Sequence, residues 1–195
     1  MGCLRLSECV GIIVDGDGDF ASLRNRFSNG FRVVKTDGPR GHTAPPADIA
    51  TRSRKQIAIL RGFRCARIVV MVDFEERREP YQDFLDKLLT AFAAIDFGLP
   101  VRTAVPNRMI ENWYLADIKY LSAHKAFLRK GLRQKRYEGT NGKAEIKKCM
   151  EHGHSYSETK HGPEMFAILR FDAARKNSPS FNALLALVQP GKAKA

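Results

Sequence analysis

Cysteine is scarce in this chain of 195 residues, and the four present, Cys3, Cys9, Cys65 and Cys149, include no C-x-x-C pair. That spacing excludes a zinc ribbon, and scattered single thiols suit a reducing compartment. Long apolar runs are also missing. The strongest, "IVVMV" (68–72), is far too short to cross a bilayer. The opening "MGCLRLSECV" has no long hydrophobic region of the secretory kind, and Leu6 stands where a myristoylation signal needs Ser or Thr. The expectation is a cytoplasmic protein with no membrane partner. Neither a G-x-S-x-G elbow nor a G-K-[ST] phosphate loop occurs, which removes serine hydrolases and Walker-type NTPases. Acidic residues are few: 21 against 33 Lys and Arg, for a net charge of +12. Such an excess points to polyanionic partners, nucleic acid above all.

What is present reads as a globular α/β chain. "VGIIV" (10–14) is a continuous β-branched run, as in a strand buried on both faces. "FRVVKT" (31–36), "ARIVVMVDFE" (66–75) and "LPVRTAVP" (99–106) are three further strands. Between them lie helical patterns: one starting at Phe20, one from Thr51, 79–95 with Phe84, Leu88 and Phe92 in register, and 109–124. The Gly- and Pro-rich segment 37–48 reads as a loop. Alternation of this kind predicts a parallel four-stranded sheet with right-handed crossovers, flanked by helices. Residues 8–122 form this core.

The pattern changes after about residue 120. Residues 123–188 read as a basic, mainly helical extension packed on the core, and 189–195 as a frayed tail. "KAFLRKGLRQKRY" (125–137) sets Lys125, Arg129, Arg133 and Arg136 on one helical face, a candidate nucleic-acid-binding surface. Ser178 reads as an N-cap, with Pro179 in the first turn of a last helix.

Against this basic background, "VDGDGDFASLRNR" (14–26) places Asp15, Asp17 and Asp19 at alternate positions. An EF-hand loop fails because Phe20 and Arg26 stand where Gly and Glu are required. A dinucleotide fingerprint, G-x-G-x-x-A at Gly16, Gly18 and Ala21, would set three carboxylates against a pyrophosphate. A metal site is the remaining possibility. Asp15 follows the first strand, and Asp73 and Glu75 follow the third; ligands in parallel sheets gather beyond these ends. Two carboxylates about 4 Å apart repel by roughly 4 kcal/mol at an effective dielectric of 20, and a divalent cation reverses the sign. All-oxygen ligands favour Mg2+ or Mn2+. Plainer roles compete: Asp19 as the N-cap of a helix from Phe20, Asp17 as a turn former, Glu75 as a surface partner of Arg77 or Arg78. Glu111 opens a helix after the fourth strand, where the dipole alone favours an acid. Lys143 sits in a basic stretch where solvation is its ordinary role. Trp113 reads as core, and "EHGHSYSETKHG" (151–162), with His152, His154 and His161, as a surface loop.

The strand ending in an acid–Gly turn, "IIVDGDGDFASL", followed by one ending in acid-x-acid, "VVMVDFE", resembles the Toprim domain of topoisomerases, primases and overcoming-lysogenisation-defect nucleases. Those domains carry Glu in the first motif and Asp-x-Asp in the second; here Asp15 and Glu75 keep the charge and move it by one methylene. Over most of residues 8–188 the chain also resembles an uncharacterised bacterial Toprim-like family often encoded beside ATPases, at "VPNRMIENWYLAD", "GKAEIKKCM" and "RFDAARKNSPSF". The resemblance implies site acids at Asp15, Asp19, Asp73, Glu75 and Glu111, with Lys143, Asp172 and Ser178 as weaker transfers. Metal ligation would fall to Asp15, Asp19, Asp73 and Glu75, and catalysis to Asp15, Glu111 and Lys143. The activity implied is a metal-dependent phosphoryl-transfer enzyme, a nuclease acting on DNA or RNA in bacterial antiviral defence; the rival is a non-catalytic nucleic-acid-binding or nucleotide-sensing partner of an ATPase.

Overall fold

The four apolar runs do become neighbouring strands. In the computed structural model, which describes residues 9–36 and 44–188, β1 (Cys9–Val14), β2 (Phe31–Lys35), β3 (Cys65–Met71) and β4 (Val101–Ala104) form one sheet in the order β2-β1-β3-β4. Every pairing is parallel, with Ile12 opposite Val33 and Val69, and Val70 opposite Thr103. Residues 1–8, the segment 37–43 expected as part of a loop, and the tail 189–195 lie outside the described residues.

Helices cover both faces. α1 (Asp17–Arg26) joins β1 to β2; α2 (Pro46–Arg52) and α3 (Arg54–Gly62) lead to β3; α4 (Tyr81–Ala93) leads to β4. After β4 come α5 (Glu111–Leu115), α6 (Ile118–His124), α7 (Gly142–Cys149), α8 (Glu158–Ile168), α9 (Phe171–Asn177) and α10 (Pro179–Val188). Strand alternation divides the core. Val10, Ile12 and Val14 face a cluster with Trp113, Phe166 and Phe181, while Ile13, Ile68 and Val70 face one with Leu60, Phe84 and Leu88. The first cluster takes residues from both the sheet and α8–α10, so the C-terminal helices share the core of the strands. Gly11 permits close packing: a Cβ there would lie 2.8 Å from Leu60 Cδ1, so α3 presses directly on β1.

Three helical expectations are corrected. The helix expected from Thr51 is two helices that meet at Ser53, whose Oγ donates to the Ile49 carbonyl at 2.8 Å. Bonding back to the preceding turn bends a helix. The helix expected over 109–124 breaks at Ala116 and Asp117, where the buried Asp117 carboxylate takes Arg170 Nη2 at 2.7 Å and Nε at 2.9 Å. The third correction is the largest. Residues 125–137 do not form a helix, and Lys125, Arg129, Arg133 and Arg136 do not share a helical face. Leu128 pairs antiparallel with Met150, Arg129 N donates to Cys149 O at 2.9 Å, and Glu151 N donates to Phe127 O at 2.9 Å. Gly131 then turns the chain at φ +73°. Tertiary pairing overrides the local helical pattern. Lys125 is drawn to Glu164 at 3.6 Å and Arg129 donates to the Lys148 carbonyl, while Arg133 and Arg136 remain exposed.

Candidate functional site

Because β1 and β3 are adjacent and parallel, the residues that leave their carboxyl ends open into one space. Asp15 follows β1, and Asp73 lies two residues beyond β3. The chain continues from β3 in loose register with the segment after β4: Val72 N donates to Ala104 O at 3.1 Å and Glu75 N to Arg108 O at 2.6 Å. Glu75 takes φ +50°, and this left-handed turn ends the extended path. Asp19 enters differently from expectation. Gly16, in extended conformation, is the N-cap of α1, so Asp17 and Asp19 lie in the first turn. Asp19 is therefore not a cap; it points a buried carboxylate into the same space. Glu111, at the start of α5, comes from the far side of the sheet end and is 2 % exposed.

Together these groups line a cavity of about 820 Å³. Seven carboxylates line it, those of Asp15, Asp17, Asp19, Asp73, Glu75, Glu111 and Glu158, against the three lysines Lys35, Lys143 and Lys147. Lys35 is committed to Asp17 at 2.6 Å, and Lys143 to Glu158 at 2.9 Å. The negative excess is concentrated in the floor. Asp73 and Asp19 are both buried, and burial pushes both carboxyls well above their ordinary range; Asp19, Asp15, Glu111 and Glu75 push Asp73 further, and Asp15, Glu111 and Glu158 push Asp19 further. Glu111 is raised by burial, against the pull of Lys143 and of the Tyr156 hydroxyl, which donates to Oε1 at 3.0 Å. Burial works to lower Lys143, but its bond to Glu158 and the field of Glu111 and Asp73 leave it raised.

Two oxygens in this floor stand out. Asp73 Oδ1 and Glu111 Oε2 are buried and have no hydrogen-bond partner among the described residues. Buried polar atoms are paired as a rule, and an exception calls for an explanation such as a missing ion or water. Among the described residues, no three Asp, Glu, His or Cys side chains are gathered closely enough to hold a metal ion as they stand.

A family model, Domain of unknown function (DUF4276), matches residues 14–189, which takes in every group named above. The chain belongs to the DUF4276 family. Comparison with curated proteins finds no match.

The DUF4276 chain brings Asp15, Asp19, Asp73, Glu75, Glu111 and Lys143 together, although they come from four separate segments. Asp172 and Ser178 do not join them. Asp172 is exposed on α9. Ser178 begins α10 as expected, accepting from Phe181 N at 3.2 Å and donating to Glu138 at 2.6 Å. Trp113 is core, with Nε1 donating to Ser180 Oγ at 2.8 Å. Sequence reasoning missed Tyr156, Glu158 and Lys147. The first two lie in the segment expected as a surface loop, and that expectation is half right: His152 and His154 are exposed, but 158–168 is α8, and His161 is buried. His161 Nδ1 accepts from Ser157 N at 3.0 Å and so closes the first turn. Nothing local marks these residues. They reach the cavity because α8 packs against α1, so closely that a Cβ on Gly18 would lie 3.2 Å from that of Glu158.

Gly142 makes a second tight contact. A Cβ there would sit 2.7 Å from Glu111 Cβ and 3.0 Å from Asn112 N. The Asn112 side chain already donates to Tyr137 O and Thr140 O, so α5 has little room to retreat. Gly142→Ala is expected to cost about 1–3 kcal/mol as overpacking, displacing the Glu111 carboxylate; urea unfolding measures the loss.

Proposed function

We propose that this DUF4276 protein is a metal-dependent phosphoryl-transfer enzyme of the Toprim type that cleaves nucleic acid. Mg2+ or Mn2+ would be held by Asp15, Asp19, Asp73 and Glu75. The observation that carries the reading is the pair of unpartnered buried oxygens, Asp73 Oδ1 and Glu111 Oε2, in a floor where carboxylates outnumber cations. Crowded, desolvated anions are costly unless a cation compensates them. An all-oxygen set suits a hard divalent ion. Asp15 and Glu75, half-buried at the rim, are the members whose rotamers would close the set.

A divalent ion in such a site polarises a phosphoryl oxygen and lowers the pKa of bound water. The chain's own groups supply the rest. Glu111, raised toward neutrality by burial, is placed to accept a proton as a general base. Lys143, exchanging Glu158 for a phosphate oxygen, would offset charge that builds up during displacement. Asp15 is the alternative proton acceptor. Supercoiled plasmid and single-stranded oligonucleotide, each with Mg2+ or Mn2+ and with or without EDTA, test the proposal. Cleavage that needs metal and is lost in Asp73→Asn supports it; cleavage that persists in both EDTA and Asp73→Asn removes it.

Tyr156 gives a finer test. Its hydroxyl donates to Glu111 and so favours the ionised carboxylate. In Tyr156→Phe that support is gone and the Glu111 pKa rises further. The acid limb of the pH–rate profile is then expected to move to higher pH, while the plateau at high pH is retained.

A second reading has one observation in its favour: the acids are not gathered at ligand spacing as they stand. On that reading the chain is a non-catalytic partner of an ATPase that binds nucleic acid or senses a nucleotide. Tight binding without cleavage under any divalent metal, together with co-purification of an ATPase, separates it from the first.

A further inference from the structure

From residue 49 to residue 72 the chain carries six cations, Arg52, Arg54, Lys55, Arg61, Arg64 and Arg67, and not one acid. The middle of this segment is α3. One side of that helix, with Ile57 and Leu60, is buried against the sheet. The other side is exposed and presents Arg54, Lys55, Ile59 and Arg61, with Phe63 and Arg64 just beyond the last turn. Arg54, Arg61 and Arg64 make no side-chain hydrogen bond or ion pair among the described residues. Phe63 is 58 % exposed, and the Arg32 guanidinium of β2 lies 5.9 Å from its ring centroid.

Arg64 adds an independent sign. Its φ is +59°, the left-handed conformation that ends helices and that glycine adopts without steric cost. Arginine adopts it only against a Cβ clash. A strained backbone carrying an exposed cation, beside an exposed aromatic ring, is the kind of outlier from which function is inferred.

We propose that the outer face of α3 docks a single-stranded nucleic acid, its phosphates on Arg54, Arg61 and Arg64 and one base stacked on Phe63. Exposed aromatic rings between cations suit single strands, because every base has a π-face. A membrane is a poor fit, since the apolar side of α3 is spent on the sheet and cannot enter a bilayer. A protein partner is a poor fit too, since Ile59 and Phe63 are the only large apolar side chains exposed on this face among the described residues, too few for an interface core. Topology gives the track a direction. α3 runs back from the carboxylate end of the sheet to the start of β3. Ser53, at its head, lines a small recess with Asp15, so a strand leaving Phe63 and passing Arg54 arrives at the rim of the carboxylate cavity. That last step rests on the proposed nuclease reading; the docking itself does not.

The test is anisotropy of a labelled oligothymidylate with the full-length protein, in EDTA, over a salt series from about 50 to 200 mM. The triple variant Arg54→Gln, Arg61→Gln, Arg64→Gln is expected to bind at least tenfold more weakly, with the log–log salt slope reduced by about 2. Phe63→Ala is expected to lose roughly tenfold. Arg64→Gly is expected to melt about 2 °C higher while binding more weakly, a combination that mere structural damage does not produce. As a control, Lys119→Gln, Lys160→Gln, Lys176→Gln removes equal charge from α6, α8 and α9, on the opposite side of the sheet, and is expected to retain most of the affinity. The proposal is overturned if the α3 triple binds like wild type, if the control loses as much, or if the α3 triple loses binding to phosphatidylserine vesicles but not to the oligonucleotide. Because metal is absent and no cleavage is read, a failure here removes the docking face alone. Loss of cleavage with binding intact would instead remove the nuclease reading.

Discussion

Asp73→Asn is expected to stabilise the metal-free protein and to abolish its response to metal. At pH 8 in EDTA the wild-type floor holds a buried carboxylate crowded by Asp15, Asp19, Glu75 and Glu111, all of which oppose its ionisation. Asparagine has nearly the same shape and no charge. The gain is expected at about 1–2 kcal/mol, or a melting temperature some 3–6 °C higher. The pH dependence follows from the direction of the shift. A carboxyl whose pKa is raised on folding binds more protons folded than unfolded. Its contribution to stability is present below the ordinary carboxylate range and is lost as pH rises through the raised value. Wild-type protein in EDTA should therefore lose stability as pH rises above about 4, and the variant should lose less. Metal reverses the order. An ion at a hundred times its dissociation constant stabilises the wild type by about 2.7 kcal/mol and leaves Asp73→Asn unmoved. Calorimetric scans of both proteins with and without Mn2+ measure all four states. A variant less stable than wild type in EDTA would show that Asp73 is held by a compensating group, and the case for an ion there would fail.

Phe166→Ala is expected to cost the most stability of any single change proposed. Phe166 is fully buried on α8, with ring centroids of Phe27, Tyr114, Phe171 and Phe181 between 5.7 and 6.3 Å away. Removing a buried phenyl ring costs about 3–5 kcal/mol, through lost transfer energy and the cavity left behind. For a chain of this length that lowers the melting temperature by roughly 10 °C. The effect should reach the site, because α8 carries Glu158 and lies beside Tyr114, whose hydroxyl bonds to Ser22 of α1 at 2.9 Å. Metal affinity, read by the same scans, is therefore expected to fall although Phe166 does not line the cavity. A large loss of stability with unchanged metal affinity would mean that the floor is held by the sheet alone.

β1 and β3 were legible because burial on both faces leaves a strong signature, a β-branched run closed by Asp. Asp15 and Asp73 were legible for the same reason: a carboxylate directly after such a run must sit at the strand's carboxyl end. β1 and β3 lie side by side, the condition on which Asp15 and Asp73 could meet, and Glu111 lines the same cavity. What could not be read was whatever depends on partners distant in sequence. Residues 125–137 have the periodicity of a helix, but their hydrogen bonds go to 149–151. Tyr156 and Glu158 lie in a polar stretch whose local composition says surface; only the packing of α8 on α1 turns them inward. The breaks at Ser53 and Asp117 depend on single side-chain bonds, to Ile49 and Arg170, that interrupt otherwise helical patterns. The excess positive charge was evident from composition, but its placement on α3 was not, because the run after residue 125 is denser in Lys and Arg.

The contact of α8 with α1 joins the two ends of the described chain, and this sets an order on biosynthesis. Asp15 and Asp19 leave the ribosome before the rest of the site, and the side of the cavity formed by Tyr156 and Glu158 does not exist until about 140 further residues have been translated. Until then the apolar side of α1 has no cover. A truncated product would lack both the closed cavity and the burial that protects it, so a nascent fragment is a substrate for chaperones and proteases before its carboxylates share one enclosed space.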